Sequence, residues 1–151
     1  MATPKKLSVR ARAIANGYRS GLEETIAASL NARGCTDWVY EKHVLPYAVP
    51  ARAARYTPDV CLPNGIVCEL KGLWDSDDRK KLGLIKEQFP GLELRMVFSN
   101  ARAKISKVSK TTYAMICEKL GIPYATKDIP TAWLEEPPHE RSLAILESLR
   151  K

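Results

Sequence analysis

The chain has 151 residues, 45% of them hydrophobic and 27% charged, a length and composition that suit one folded domain and exclude both a second full domain and wholesale disorder. No apolar run approaches the roughly 18 residues of a membrane span, and the polar, basic N-terminus lacks the apolar stretch of a signal peptide, so we expect a cytoplasmic protein. The net charge of +7, from 24 Lys and Arg against 17 Asp and Glu, favours a polyanionic partner.

The positive charge is concentrated in two stretches. Residues 1–22 contain five Lys and Arg and no acid, and residues 102–110 contain four and no acid. Such stretches attract nucleic acid, although solvated charge that only aids solubility gives the same pattern. We predict a basic flexible tail over residues 1–18 and a folded domain over residues 19–151.

The first predicted helix begins at Ser20. Ser20 and Glu23 match the S-x-x-E capping box, Leu22, Ile26 and Leu30 recur at helical spacing, and Gly34 is a natural stop. A strand candidate follows over Trp38–Leu45. Two prolines then keep residues 46–50 out of helix, which predicts an extended bridge.

The next segments predict a tight antiparallel hairpin. Its strands are residues 55–62 and 66–71, and its loop is Pro63-Asn64-Gly65, in which Gly65 supplies a positive φ. Beyond the hairpin, helices and strands alternate, which predicts an α/β fold with a mixed sheet flanked by helices. The predicted helices span residues 75–88, 111–120 and 140–149, and the predicted strands span residues 92–98 and 122–125.

The hairpin carries the residues that could take part in catalysis. If Leu62 faces Ile66, Asp59 lies opposite Glu69 with Cβ atoms about 4.5–5.5 Å apart, and Lys71 projects from the same face as Glu69. Paired carboxylates beside a phosphate form the partial oxygen shell that Mg²⁺ prefers. Lys71 would orient the attacking water or help to deprotonate it. The pattern therefore predicts metal-dependent phosphodiester hydrolysis.

The same residues have a structural alternative. Asp59 and Glu69 could be surface strand residues bridged by Lys71, with no catalytic role. The cysteines do not offer another chemistry, because the four of them show no CxxC spacing and His43 and His139 are isolated from them. We expect these cysteines to be reduced side chains of the interior.

Five motifs follow one another between about residues 19 and 133. They are Ser20–Glu23 (SGLE), Tyr56–Asp59 (YTPD), Leu62–Ile66 (LPNGI), Glu69–Trp74 (ELKGLW) and Ser76–Lys81 (SDDRKK). In kind and order they resemble the phage endonuclease I family. The resemblance implies a PD-(D/E)xK, restriction-endonuclease-like fold, a domain-swapped homodimer, a Mg²⁺ or Mn²⁺ requirement, and cleavage of four-way (Holliday) and other branched DNA junctions inside the host cell.

The resemblance also assigns roles to residues. It implies that Asp59, Glu69 and the backbone carbonyl of Leu70 bind the metal, that Lys71 is the catalytic lysine, and that Glu23 is a further catalytic acid. Leu70 stands where a polar residue is expected, which a backbone ligand should tolerate.

In the family, the N-terminal helix and first strand are exchanged between subunits. Residues 19–45 would thus cross through the bridge at residues 46–50, and Glu23 would complete the partner's site. A plain helix-capping role for Glu23 is the alternative, since the same carboxylate would be needed twice.

Two further questions concern DNA. Seven basic residues are candidate phosphate contacts, each with solvated surface charge as its alternative: Arg10, Arg12, Arg19, Arg79, Lys80, Lys104 and Lys107. The rival functions are a mismatch- or duplex-cleaving nuclease of the same fold and a non-catalytic basic DNA-binding protein. Junction selectivity depends on dimer shape, which no residue pattern reports, so it rests on the resemblance alone.

Overall fold

The computed structural model describes residues 7–49 and 52–150. The chain forms two compact units, one ending at Thr36 and the other beginning at Asp37. Among the described residues, no helix is both long and apolar enough to cross a membrane.

The first unit begins with a helix that the sequence analysis missed. Helix α1 (Val9–Ala15) is capped by Ser8, whose side chain accepts a hydrogen bond from the Ala11 N–H, and Arg12 forms an ion pair with Glu24 of the following helix. The segment predicted as a tail over residues 1–18 thus contains a helix. A side-chain cap followed by a run rich in alanine and arginine stabilises helix despite the density of positive charge. Residues 1–6 lie outside the described residues.

Helix α2 (Gly21–Ala32) confirms the helix predicted from Ser20. The Ser20 side chain accepts a hydrogen bond from the Glu23 N–H at 3.2 Å. At the other end Gly34 adopts φ +77°, and the Cys35 N–H donates to the Leu30 carbonyl at 3.0 Å. This is the left-handed ending that glycine allows.

The second unit contains a five-stranded mixed sheet and a separate two-stranded ribbon. In the sheet, strands β1, β4 and β5 are antiparallel, and β5, β6 and β7 are parallel. The ribbon pairs β2 with β3 in antiparallel fashion. The strand bounds are β1 (Val39–Tyr40), β2 (Leu45–Val49), β3 (Arg52–Tyr56), β4 (Val60–Cys61), β5 (Ile66–Lys71), β6 (Glu93–Phe98) and β7 (Tyr124–Thr126).

Four helices complete the second unit, so the predicted α/β architecture with a mixed sheet and accompanying helices is confirmed. They are α3 (Ser76–Gln88), α4 (Tyr113–Leu120), α5 (Thr131–Leu134) and α6 (Glu140–Ser148). The three helices predicted for this region correspond to α3, α4 and α6, whereas the short α5 was not expected.

Two predicted strands are wrong in extent. The strand predicted over residues 38–45 is interrupted at Glu41, which takes φ +45° and turns the chain away. Before this turn, β1 pairs with the sheet, and after it Leu45 already belongs to β2 of the ribbon. The strand predicted over residues 55–62 is divided at Pro58, which has no N–H to donate and restricts the residue before it. Its two parts belong to the ribbon and to the sheet. The predicted bridge is extended over residues 46–49, within β2, and Pro50 lies outside the described residues.

The predicted hairpin is confirmed. Val60 pairs with Cys68 and Cys61 with Val67, and the Leu62 N–H donates to the Ile66 carbonyl at 2.8 Å. Gly65 has the expected positive φ, at +92°. The register therefore continues outward to Asp59 opposite Glu69.

The hairpin loop is anchored by the C-terminal part of the unit. The Asn64 side-chain amide donates to the carbonyls of Trp133 and Glu136, at 2.8 and 3.2 Å. The His139 N–H donates to the Asn64 carbonyl at 2.8 Å, and the Ser142 hydroxyl donates to the Gly65 carbonyl at 2.6 Å. Long-range contacts thus fix the tip of a locally formed element.

An aromatic cluster fixes the segment that leaves β5. The rings of Trp74 and Phe98 lie 5.2 Å apart, and those of Trp74 and Tyr113 lie 5.9 Å apart at an angle of 78°. The backbone N–H of Trp74 donates to the Tyr113 hydroxyl at 3.1 Å. Trp74 is fully buried, so its role is packing beneath the end of this strand.

We predict that Gly65→Ala destabilises the protein by about 1–3 kcal/mol, because a non-glycine residue at a strained positive φ costs about that much. A Cβ atom there would also lie 3.0 Å from Leu143 Cγ and 3.1 Å from the His139 carbonyl oxygen. Gly83→Ala is the matched control, since a Cβ on this helical glycine meets nothing within 4 Å and should stabilise by about 0.5–1 kcal/mol. Urea unfolding followed by circular dichroism measures both; a Gly65→Ala protein as stable as the parent contradicts the argument.

Candidate active site

Asp59 and Glu69 lie on the two arms of the hairpin, each next to a residue of the Val60–Cys68 pair. Only 9% of Asp59 and 4% of Glu69 is exposed. Asp59 Oδ2 accepts a hydrogen bond from the Leu70 N–H at 2.8 Å, which ties the acid to the neighbouring strand. The hairpin therefore places both carboxylates in the interior and not at the surface.

The Glu69 carboxylate is positioned by a tyrosine. Tyr56, the last residue of β3, is buried and donates its hydroxyl hydrogen to Glu69 Oε2 at 2.5 Å. Lys71 Nζ lies 3.5 Å from the other oxygen, Oε1. The two oxygens of Glu69 thus meet different partners, which fixes the rotation of the carboxylate.

Lys71 has a second acidic partner on helix α3. Its Nζ lies 2.9 Å from Asp78 Oδ2, and the other Asp78 oxygen lies 3.2 Å from Lys81 Nζ. Asp78 occupies the first turn of α3, where the Asp75 side chain accepts a hydrogen bond from its N–H. The ammonium group is therefore located by two elements, β5 and α3.

The pKa shifts in this group reflect burial and proximity. Burial raises the pKa of Glu69 above its ordinary value, although Tyr56 and Lys71 oppose the rise. Burial alone would lower the pKa of Lys71, but Glu69 and Asp78 outweigh it and the pKa is raised. The neighbouring acids thus stabilise the protonated form of Lys71. For Glu69, by contrast, Tyr56 and Lys71 compensate only in part for the cost of burying the charge.

Glu41 is a further acid that the sequence analysis missed. Its N–H donates to the Asp59 carbonyl at 3.2 Å, and a carboxylate oxygen of Glu41 lies within 4.8 Å of one from Asp59. No motif marks Glu41, because it lies inside the segment that alternation predicts to be a strand. Carboxylate oxygens are hard ligands, so Asp59, Glu69 and Glu41 are groups that could hold Mg²⁺ or Mn²⁺.

The entire sequence, residues 1–151, matches the family model for phage endonuclease I. The chain belongs to the phage endonuclease I family. It is therefore an endonuclease, and the resemblance inferred from its motifs is confirmed.

Two similar proteins come from phages. Endonuclease I of Escherichia phage T7 is 50% identical over 123 residues, which cover 82% of this chain and 82% of that protein. Endodeoxyribonuclease 1 of Enterobacteria phage T3 is 50% identical over 123 residues, covering 82% of this chain and 80% of that protein. The solved structure of protein VC1899 from Vibrio cholerae matches with a TM-score of 0.40 at 15% identity, over 85% of this chain and 32% of that protein.

Glu23 of this endonuclease lies in the first unit, on the first turn of α2. Its Oε2 atom accepts a hydrogen bond from the Arg19 N–H at 2.8 Å. The predicted capping box is thus modified, since Ser20 caps the helix as expected but Glu23 reaches the N–H one residue earlier. A capping role for Glu23 is present within its own unit.

The basic residues proposed to contact phosphates differ in their surroundings. Arg12 is paired with Glu24, and Arg79 donates to the Trp74 carbonyl, so both contribute to local structure. The others are exposed: Arg10, Arg19, Lys80, Lys104 and Lys107.

The cysteines of the endonuclease are free, as expected. Cys61, Cys68 and Cys117 are buried and Cys35 is half-buried. Burial raises the pKa of Cys61 and of Cys117 to about 12, which keeps these thiols protonated and unreactive at neutral pH.

We predict that Glu69→Gln increases stability at pH 8 in EDTA. The raised pKa means that the unfolded chain releases this proton at a lower pH than the folded protein does, so the parent loses stability as pH rises from about 4 through the folded pKa. Below the unfolded pKa both proteins carry a neutral group, and the difference should vanish. Thermal unfolding between pH 3.5 and 8 measures this effect.

The control for that measurement is Glu147→Gln, whose side chain is 75% exposed and should leave the unfolding midpoint unchanged. A parent that is more stable than Glu69→Gln at pH 8 would show that Tyr56 and Lys71 compensate fully for the burial of the carboxylate.

Proposed function

We propose that this endonuclease hydrolyses phosphodiester bonds of branched DNA, chiefly four-way (Holliday) junctions, with a divalent metal ion, in the cytoplasm of the host cell. The observation that carries the chemistry is the convergence of Asp59, Glu69 and Lys71 on one hairpin. The substrate is supported by family membership and by the name of the phage T3 relative, an endodeoxyribonuclease.

The donor set fits Mg²⁺ or Mn²⁺. Asp59 and Glu69 supply carboxylate oxygens, Leu70 supplies its backbone carbonyl, and the buried charge of Glu69 is of the kind that a cation stabilises. When bound, such an ion lowers the pKa of a coordinated water and offsets negative charge on the scissile phosphate. Glu41 is the nearby carboxylate able to extend this oxygen shell.

The chain's own residues position the reacting groups. The Tyr56 hydroxyl holds Glu69 Oε2, so that Oε1 is the oxygen that faces the Lys71 ammonium. Asp78 holds the Lys71 ammonium beside Glu69, from where it can donate hydrogen bonds to a phosphate oxygen or to the attacking water. The raised pKa favours this donor role over removal of a proton by Lys71.

The active form proposed here is a domain-swapped homodimer of PD-(D/E)xK fold. Two equivalent strands of a junction must be cut, and a two-fold dimer offers two equivalent sites. Glu23 lies in the first compact unit, whereas Asp59, Glu69 and Lys71 lie in the second. Exchange of residues 19–45 through the segment at residues 46–50 would bring Glu23 to the partner's site.

The first experiment compares cleavage of a labelled four-way junction with that of a linear duplex of matching sequence. We expect the parent to cut the junction selectively in Mg²⁺ and neither substrate in EDTA. Glu69→Gln and Lys71→Ala should bind the junction but reduce cutting by more than about 100-fold, since even groups that only orient metal ligands contribute about 10- to 100-fold. Lys119→Ala, an exposed lysine on α4, is the control and should cut at the parental rate.

The outcomes separate the rival functions. Equal cutting of both substrates would leave a duplex- or mismatch-cleaving nuclease and remove the junction claim. Binding without cutting in any metal would leave a non-catalytic DNA-binding protein. Near-parental cutting by Lys71→Ala would remove this lysine from the mechanism.

Subunit exchange is tested by mixing two inactive variants. If Glu23 acts in the partner's site, heterodimers of Glu23→Gln and Glu69→Gln contain one intact site, and co-refolding the two should restore junction nicking. If Glu23 acts within its own chain, every site carries one defect and no activity returns. Asp59→Asn mixed with Glu69→Gln is the matched control, because both changes lie in the same unit and no arrangement yields an intact site.

A further inference from the structure

A cleft of about 570 Å³ lies between the β2–β3 ribbon and helix α3. The ribbon wall includes Tyr47 and Ala54, and the helix wall includes Leu84. The charged residues that line it are Arg52, Arg55, Asp77, Asp78, Lys80 and Lys81. The cleft therefore has more cationic than acidic side chains along its walls, together with several apolar ones. All of its lining residues belong to the second unit.

Its positive charge is only partly neutralised. Lys81 pairs with Asp78, which in turn contacts Lys71. Arg52, Arg55 and Lys80 are exposed, and none of them takes part in an ion pair with another described residue. Unpaired guanidinium and ammonium groups on both walls are the groups that neutralise phosphates.

The position of the cleft connects it with the active site. Asp78 lines the cleft and contacts the Lys71 ammonium at 2.9 Å, and Lys81 lies 5.9 Å from the centre of the Tyr56 ring, whose hydroxyl positions Glu69. A sugar–phosphate backbone lying in the cleft would therefore pass beside Asp78, the residue that contacts Lys71. Cations along both walls suit an extended polyanion, whereas a single small anion would be bound by one or two of them.

We propose that this cleft binds the sugar–phosphate backbone of the DNA strand that the active site cuts, with Arg52 on the ribbon and Lys80 on the helix as contacts from opposite walls. The proposal rests on DNA being the substrate, as inferred above. Contacts of this type are independent of base sequence, and they position the strand so that the scissile phosphate reaches Lys71.

The test is the salt dependence of DNA binding by the double variant Arg52→Gln/Lys80→Gln. Fluorescence anisotropy with a labelled junction in EDTA should show weaker binding and a slope of log K against log salt that is smaller by about 2, since each lost phosphate contact removes about 0.9. The control is Lys119→Gln/Arg141→Gln, two exposed cations outside the cleft, which should keep the parental slope. An unchanged slope in the cleft variant overturns the proposal.

A second measurement needs no substitution. Acetylation of the parent protein should modify Lys80 more slowly when the junction is bound, whereas Lys119 should react at the same rate with and without DNA. Equal reactivity of Lys80 in both states overturns the proposal.

These results are independent of cleavage. A parent that binds DNA through the cleft but never cuts it would support the cleft and refute the proposed nuclease activity on junctions. A parent that cuts while the cleft variant binds with the parental slope would support the activity and refute the cleft.

Discussion

The burial of the Glu69 carboxylate is the constraint around which the second unit is organised. A charged group taken out of water must find hydrogen bonds or an opposite charge. Here the Tyr56 hydroxyl and the Lys71 ammonium approach its two oxygens from different strands. The ribbon, the hairpin and helix α3, through Asp78, are thereby joined at one point. The residues that meet at this point are also the ones proposed to act on the phosphodiester.

The hairpin was predictable because its determinants are local. A glycine able to adopt a positive φ follows proline and asparagine, and the alternation of strand side chains fixes which residues face each other. The pairing of Asp59 with Glu69 and the common face of Glu69 and Lys71 follow from counting. Helix α2 was equally predictable, since Ser20 and Gly34 mark its ends in the sequence.

The remaining partners could not be predicted because they depend on tertiary packing or on single backbone torsions. Tyr56 reaches Glu69 only because Pro58 divides a stretch that alternation alone assigned to one strand. Asp78 contacts Lys71 only when α3 packs beside the sheet. Glu41 is placed by a positive φ, which is not predictable for a glutamate. Arg95 is similar: it is buried in strand β6 and is neutralised by Glu93 and by the distant Glu136.

The anchoring of the hairpin tip has a consequence for the order of folding during synthesis. Residues 59 and 69 are separated by a short loop, so the two strand segments that carry them can meet early in synthesis, at little cost in loop-closure entropy. The carbonyls of Trp133 and Glu136 that receive the Asn64 amide, and the Ser142 hydroxyl that reaches Gly65, are translated much later. A nascent chain therefore has both arms of the hairpin before it has the contacts that fix the hairpin tip. The hairpin is fully anchored only when the C-terminal helices dock, so the activity proposed for its residues is expected of the complete fold alone.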